Sequence, residues 1–168
     1  RAWRTCHGAT KSLVDLHVDL EGSLGSIAIS PATTSAELIS AIAATFLPRA
    51  SFFGIYIAYV NCYLDCTEQI APLSSAPGTA GKRAPNRAFV RWQEQAKGTH
   101  PQSLQSLLIS PVQRVLRYEL LLKSIAEEFN KESAKAASSG SDVAAAAAAA
   151  AQLQEARDKV NKQSQLLN

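Results

Sequence analysis

The sequence predicts an all-α protein, built as an elongated bundle of about six helices. Apolar residues recur at three- and four-residue spacings along most of its 168 positions, which is the spacing of a single helix face. Leu and Ala, two strong helix formers, are abundant, whereas the alternating pattern of a strand is absent from the sequence. The length and the hydrophobic content of 46% suit one folded domain with a buried core.

Three helices are predicted in the first half of the chain. The first covers about residues 11–24, where leucines lie near one face. Hydroxyl side chains at 33–35 can cap the second helix, which ends before Pro48. The third runs from Ser51 to about Ile70 and is closed by Pro72. Its uncharged stretch is too short and too polar to span a bilayer, so we expect a buried core helix.

Two further helices follow a Gly-, Pro- and Ser-rich loop that covers residues 74–85. The fourth predicted helix extends from Asn86 to about Lys97. The fifth is long, from about 103 to 130. It contains an opening signal at Ser110 and Pro111, a side-chain cap before a residue that is fixed in helical φ. A bend near Pro111 is the alternative to a helix start at that position.

The last predicted helix covers about residues 142–168 and carries an apolar face toward its C-terminal end. A low-complexity insert at about 131–151 overlaps its start, and this insert includes the eight consecutive alanines Ala144–Ala151. Poly-alanine favours a helix but provides no packing specificity. Residues 1–168 are expected to form a single domain, because the length suits one.

Charge and cysteine content limit the function classes. The net charge of +3 permits an acidic protein partner or an anionic membrane surface, but it is too weak to indicate nucleic acid. Three cysteines, an odd number, argue against a disulfide framework. Cys62 and Cys66 would share a helix face, which allows a metal site. Buried thiols in a reducing compartment are favoured, because no second ligand pair accompanies them. We expect no metal, no cofactor and a cytoplasmic location.

The most informative part of the chain runs from Leu107 to Lys123 and reads L-L-I-S-P-V-Q-R-V-L-R-Y-E-L-L-L-K. Its apolar residues recur at helical spacing and predict a buried stripe that consists of Val112, Val115, Leu116, Leu120, Leu122 and Ile125. We expect Leu120, Leu121 and Leu122 to be core residues. Leu116 suits a core and a surface position about equally, because Val115 competes for the buried stripe.

The polar residues that lie off this stripe are Gln113, Arg114, Arg117 and Lys123. From the pattern alone they form either an ordinary solvated face or a docking face for an acidic partner. The order of residues is more specific. The whole segment resembles the third conserved region of the Dbl-homology domain, the exchange-factor module for Rho-family small GTPases. That family reads L-L-(I)-x-P-(V/I)-Q-R-x-x-(R/K)-Y-x-L-L-L-(K/R), and every fixed position is met here.

Looser resemblances to the same family cover most of the remaining chain. Ser12–Leu24 is similar to the second conserved region and has His17 at the family's histidine, which implies a packing residue. Ala44–Asn61 is similar to the family's aromatic helix, while Asn86–Trp92 and Ala156–Asn161 resemble two later helices. The family's first conserved region, which carries a glutamate that engages the GTPase, has no counterpart. We therefore expect an N-terminally truncated domain.

The resemblance implies a guanine nucleotide exchange factor for a Rho-family GTPase. Such a protein makes and breaks no bonds, and it binds the nucleotide-free GTPase more tightly than the loaded one. Carried over by position, Gln113 and Asn161 would hydrogen-bond the switch II region. Leu116 would insert as an apolar anchor, and Arg117 would pair with acidic switch residues.

A non-catalytic helical scaffold is the alternative, an inactive relative that docks a protein partner without exchange. The missing first region favours the scaffold for this fragment, whereas the retention of Gln113, Arg117 and Asn161 favours exchange for the complete protein. The resemblance also allows peripheral membrane association through flanking domains that this sequence lacks. It implies no catalytic residue, no metal and no nucleic-acid partner.

Overall fold

The computed structural model describes residues 2–74, 86–99, 101–137 and 143–166. These residues form the elements α1 (Ala2–Gly25), α2 (Ser35–Phe46), a 3₁₀ segment (Leu47–Gly54), α3 (Ile55–Ser74), α4 (Arg87–Thr99), α5 (Leu104–Ala137) and α6 (Val143–Gln165). Helix α1 packs against α3, and both α2 and α5 pack against α6. Within the described ranges there is no β-strand, so the predicted all-α class is confirmed.

Two helix starts are fixed by side chains that accept backbone N–H groups. Before α2, Thr34 Oγ1 accepts the Glu37 N–H at 3.2 Å, and the Glu37 carboxylate accepts the Thr34 N–H at 2.8 Å, which is a capping box. Before α4, Asn86 Oδ1 accepts the N–H groups of Ala88 and Phe89. The sequence places both of these starts correctly.

Helix α5 begins earlier than its proline signal indicates. Ser103 Oγ accepts the Ser106 N–H at 3.1 Å, so the cap lies just before Leu104. Pro111 lies inside the helix, and the Ser110 hydroxyl donates to the Ser106 carbonyl at 2.8 Å. The prediction that Ser110 and Pro111 open a helix is therefore wrong. The serine hydroxyl bonds the preceding turn and caps no helix start.

The third predicted helix is divided in the structure. The 3₁₀ segment has Pro48 in its first turn and leads into α3 at Ile55, after the start predicted at Ser51. Helix α3 continues to Ser74, so Pro72 lies inside it and does not close it. A proline this close to a C-terminus removes an N–H from only the last turn, which explains why the helix continues past it.

Two helices are longer than predicted. Helix α1 begins at Ala2, because Cys6 and Ala9 continue the buried stripe of leucines toward its N-terminus. Helix α5 continues to Ala137, beyond the predicted end, and buries Phe129 in its last third. The start that Gly140, Ser141 and Asp142 would provide for the last helix lies outside the described residues.

Large side chains from α1, the 3₁₀ segment, α3, α5 and α6 form the core. Those almost fully buried include Leu20, Phe53, Tyr56, Tyr59, Ile70, Val115, Leu122, Leu153 and Val160. The Tyr59 hydroxyl donates to the Leu108 carbonyl of α5 at 2.7 Å, so its buried ring keeps a satisfied polar end. This hydrogen bond holds the first half of α5 against α3.

The stretch Ser35–Leu73 is long and apolar enough, by composition, to cross a membrane. In the fold it is not one free span, because it forms α2, the 3₁₀ segment and α3 of the bundle. Its aromatic residues Phe53, Tyr56 and Tyr59 are buried against other helices. We interpret the stretch as the apolar core of the bundle, since core helices of folded domains satisfy the same criteria of length and composition.

Three cysteines meet in the core between α1 and α3. Cys6, Cys62 and Cys66 are all buried and free. Burial, followed by hydrogen bonds with the other two thiols, raises the pKa of Cys6 to about 12, and burial also raises the pKa of Cys66. Neutral thiols at Cys6 and Cys66 fit these surroundings. Across the described part of the chain, no group of three or more His, Cys, Asp or Glu side chains is arranged to hold a metal ion.

The first half of α6 consists of the alanine run. Ala149 is fully buried, and Ala146 and Ala150 pack against the core. A cavity of about 830 Å³ lies between this run, the start of α2 and the end of α5 near Phe129. The cavity follows from the small volume of the methyl side chains, which leave space that larger residues would fill.

Candidate docking surface on helices α5 and α6

Three of the four predicted site residues are exposed on α5. Gln113, Leu116 and Arg117 all lie on its solvent side, at the three- and four-residue spacings of one helix face. Leu116 is 43% exposed, whereas its neighbour Val115 is fully buried. The position that suited core and surface equally in the sequence is thus a surface position. Together with Asn161 of α6, these residues are called the docking surface below.

The three consecutive leucines of α5 differ in burial, and the prediction that all three are core residues is wrong. Leu120 and Leu121 are 58% and 57% exposed, and only Leu122 is buried, at 1%. The reason is register, because Leu122 lies two helical turns after Val115 on the buried stripe. Leu120 lies one turn after Leu116, so it extends the apolar part of the docking surface along the helix.

Asn161 lies on α6, the helix that packs against α5, and is partly buried. The hydroxyl of the buried residue Ser164 donates to the Asn161 carbonyl at 2.9 Å, with the Asn161 side-chain oxygen 3.4 Å away. This contact restrains one side of the amide and leaves its NH₂ group available as a donor. The two helices that carry the predicted residues are therefore neighbours in the fold.

Sequence reasoning missed Arg157, one turn before Asn161 on α6. Its Nη1 lies 3.5 Å from the Gln154 side-chain oxygen, while its Nε is buried and has no hydrogen-bond partner in the described residues. A buried donor without a partner costs roughly 1–3 kcal/mol, so the described residues leave an unsatisfied polar group one turn from Asn161. The four-residue spacing from Asn161 was the available signal.

The α5 side of the surface is electropositive. In the described part of the chain, Arg114 and Arg117 take part in no ion pair, whereas Lys123 lies 3.9 Å from Glu127. A guanidinium can accept a planar carboxylate through two parallel hydrogen bonds. The surface therefore has both the charge and the donor geometry to bind acidic groups of another protein.

A partly buried hydrogen-bond network joins α5 to α1 and α3. The imidazole of His17 on α1 bonds the Tyr56 hydroxyl through Nε2 at 2.6 Å and the Tyr118 hydroxyl through Nδ1 at 2.9 Å. The His17 and Tyr118 rings are stacked, with centroids 5.6 Å apart. Burial, followed by the nearby Arg114 charge, lowers the pKa of His17. The predicted packing residue thus also links three helices.

The exposed side chains of the docking surface are of types that suit binding of another protein. Two cavities lie away from it, one beside the alanine run and one of about 400 Å³ between α4 and the start of α5. The exposed residues of α5 are amide, guanidinium and aliphatic groups without an adjacent nucleophile and base pair. Such a surface can recognise a protein and change its conformational equilibrium.

The helical bundle and this surface define the class of protein. The RhoGEF domain family model matches residues 6–161, and the chain belongs to that family. The matched range reaches from the first turns of α1 to Asn161 on α6, so it includes the whole docking surface. The resemblance inferred from the leucine- and arginine-rich segment of α5 is confirmed.

Two curated relatives illustrate how much of a longer protein this chain represents. Pleckstrin homology domain-containing family G member 3 of Homo sapiens is 37% identical over 92 residues, which cover 55% of this chain and 7% of that protein. Pleckstrin homology domain-containing family G member 2 of Mus musculus is 34% identical over 99 residues, 59% of this chain and 6% of that protein. The chain thus spans less than a tenth of these relatives, and no solved structure is significantly similar to it.

Proposed function

We propose that this chain is the exchange-factor domain of a guanine nucleotide exchange factor for a Rho-family small GTPase. The observation that carries the proposal is the exposed face of α5, which presents Gln113, Leu116 and Arg117 in a chain of the RhoGEF domain family. A cytoplasmic location, with recruitment to the membrane periphery through flanking domains, belongs to the same proposal.

Exchange on this proposal is a linkage effect. A protein that binds the nucleotide-free GTPase more tightly than the loaded one lowers the affinity for nucleotide by the same factor. No covalent step and no cofactor are needed, because differential affinity for the two switch conformations supplies the free energy. The docking surface must therefore fit the GTPase switch regions best when the nucleotide has left.

Each residue of the docking surface has a separate role in this proposal. Leu116 is the apolar anchor, since a half-exposed leucine loses its remaining hydration when a partner covers it. Arg117 binds acidic residues of the switch regions through its planar guanidinium. Gln113 and Asn161 supply amide donors and acceptors to the switch II backbone, and the contact with Ser164 orients the second of these amides.

Release of a fluorescent nucleotide from a panel of Rho-family GTPases tests the proposal. Arg117→Ala and Asn161→Ala in the full-length protein are each expected to slow release about tenfold, a loss of about 1.4 kcal/mol of coupling. Arg91→Ala on α4 is the matched control, because it removes an exposed arginine away from the docking surface. Circular dichroism should show the same helix content in all three variants.

Two outcomes would contradict this proposal in different ways. Nucleotide release unchanged by Arg117→Ala on a responsive GTPase would remove the assigned role of the docking surface. Tight binding of a GTPase without faster release, in the unmodified full-length protein, would instead establish the non-catalytic scaffold.

A further inference from the structure

The imidazole of His17 is the point at which three helices meet. Its Nε2 bonds Tyr56 of α3 at 2.6 Å, and its Nδ1 bonds Tyr118 of α5 at 2.9 Å, across 39 and 101 positions of sequence. Tyr56 is fully buried, whereas Tyr118 lies at the border between the core and the α5 surface. One hydrogen bond therefore connects His17 to the core, and the other connects it to α5, which carries three residues of the docking surface.

Tyr118 is immobilised by rings as well as by this hydrogen bond. Its ring stacks on His17 at 16° between planes and meets Phe46 and Phe53 edge-on, with centroids 5.9 Å and 5.6 Å apart. These contacts limit the positions of the ring. The hydroxyl bond to Nδ1 adds a directional restraint that ring packing alone does not supply.

Tyr118 lies on the same helix as three residues of the docking surface. Tyr118 follows Arg117 directly and lies five residues after Gln113 on the same rigid helix. Successive residues of an α-helix are about 100° apart around its axis. A small rotation of α5 about that axis would therefore redirect the side chains of Gln113 and Arg117 together. The bond between the Tyr118 hydroxyl and His17 Nδ1 thus connects a contact inside the bundle to the helix that carries Gln113 and Arg117.

The chemistry of the imidazole is compatible with both bonds at once. A neutral imidazole has one N–H donor and one acceptor, so one tyrosine hydroxyl accepts and the other donates. The groups that face His17 are Tyr56 from α3 and Tyr118 and Arg114 from α5, and Glu21 of its own helix lies near Tyr118. The adjacent arginine and the burial both favour the neutral form.

We propose that His17 is a positioning residue for the docking surface, which it orients through its Nδ1 bond to Tyr118. The inference rests on the proposed exchange function and adds a residue from α1 to a site carried by α5 and α6. Its Nε2 bond to Tyr56 anchors the imidazole in the core and has no direct effect on α5. The two bonds of one ring thus have separable consequences.

Two substitutions of His17 separate these consequences. The amide of His17→Asn ends near the place of Nδ1 and keeps a partner for Tyr118, whereas the amide of His17→Gln ends near Nε2 and keeps a partner for Tyr56. Each variant loses one buried hydrogen bond, so thermal unfolding should shift both by a similar amount. His17→Asn should keep kcat/KM for exchange within about twofold, and His17→Gln should lower it about fivefold.

Two tyrosine variants test the same assignment without changing the imidazole or any ring. Tyr118→Phe should reproduce the loss of exchange seen in His17→Gln, and Tyr56→Phe should resemble His17→Asn. Combining His17→Gln with Tyr118→Phe should give a smaller loss than the sum of the two single losses, because both remove the bond between His17 and Tyr118. These variants keep the aromatic packing, so they remain informative if a His17 variant folds poorly.

The expected and the contradictory results are distinct. Exchange rates that follow thermal stability across all four variants, whichever bond is lost, would reduce His17 to a packing residue and overturn the inference. Arg117→Ala is measured alongside as a reference. If Arg117→Ala slows exchange as expected and the two His17 variants exchange at equal rates, the positioning role of His17 is overturned and the proposed function is not. No exchange in the unmodified protein overturns the proposed function, and the positioning role with it.

Discussion

The two sides of α5 are built from the same residue types but have opposite surroundings. On the inner side, Val115 and Leu122 are almost fully buried; on the outer side, Leu116 and Leu120 are half exposed. The difference arises from helical register, because hydrophobicity does not distinguish the four residues. A run of apolar residues therefore indicates that a helix is packed, while its geometry decides which residues remain for a partner.

The largest expected effect is on the free energy of unfolding, which should respond differently to substitutions on the two sides of α5. Leu122→Ala should lower the free energy of unfolding by about 3 kcal/mol, because it removes a buried side chain and leaves a cavity. Leu120→Ala, at the same kind of residue on the outer side, should change it by less than about 0.5 kcal/mol. Urea denaturation measures both, and equal losses would contradict the register described for α5.

The next effect concerns the hydrogen bond that anchors α5 from the inner side. Tyr59→Phe removes the hydroxyl that donates to the Leu108 carbonyl and keeps the ring. We expect a loss of about 1 kcal/mol in the free energy of unfolding, because the carbonyl is left without this donor. Tyr63→Phe is the control, since Tyr63 stacks beside Tyr59 but is less buried. An equal loss in both variants would show that the loss is not specific to the Leu108 bond.

A pH effect on stability should arise at His17, which contacts α5 from the inner side through Tyr118. The pKa of His17 is lower in the fold than its ordinary value of 6.5, so the unfolded chain binds the proton more readily. The stabilisation is complete above pH 6.5 and is lost as the pH falls through the lowered pKa. Thermal unfolding between pH 7.5 and 5.5 should show this loss, and His17→Asn should abolish it. A decline of the same size in that variant would assign the loss to other groups.

The smallest effect is expected for an ion pair on the outer side. Lys123 and Glu127 are 3.9 Å apart and both side chains are about half exposed. Lys123→Gln should change the free energy of unfolding by less than about 0.5 kcal/mol, because exposed pairs of this kind are screened by water and salt. A loss above about 1 kcal/mol in low-salt denaturation would contradict this expectation, because the outer side of α5 would then contribute to stability as the inner side does.

Local signals allowed much of the fold to be predicted from the sequence. The helical periodicity gives the all-α class, and the hydroxyl side chains at 33–35 give the start of α2, although only the structure shows that Thr34 is the cap and that Glu37 completes a capping box. Three adjacent leucines gave no basis for choosing the buried one, since every register places at least one of them inside. Pro111 was misleading because the same ring that opens a helix can be tolerated within one.

The site was predictable where it follows a family motif and unpredictable where it depends on distant contacts. Gln113, Arg117 and Asn161 were found from their order in the chain, and their roles stay predictions until exchange is measured. The bond between His17 and Tyr118 joins residues 101 positions apart, so no local pattern indicates it. Cys6 joins Cys62 and Cys66 only when α1 packs on α3, for the same reason.

The alanine run of α6 has a consequence for variation in chain length. Every position from Ala144 to Ala151 carries the same methyl group. No side chain in the first half of α6 therefore fixes how far the helix is shifted along its axis relative to its neighbours. Leu153 and Val160, both fully buried, set that alignment from the other end. An alanine gained or lost in the run should therefore be absorbed upstream, toward the cavity, and leave Asn161 in place. The repetitive end of the helix can drift in length while the functional end stays fixed.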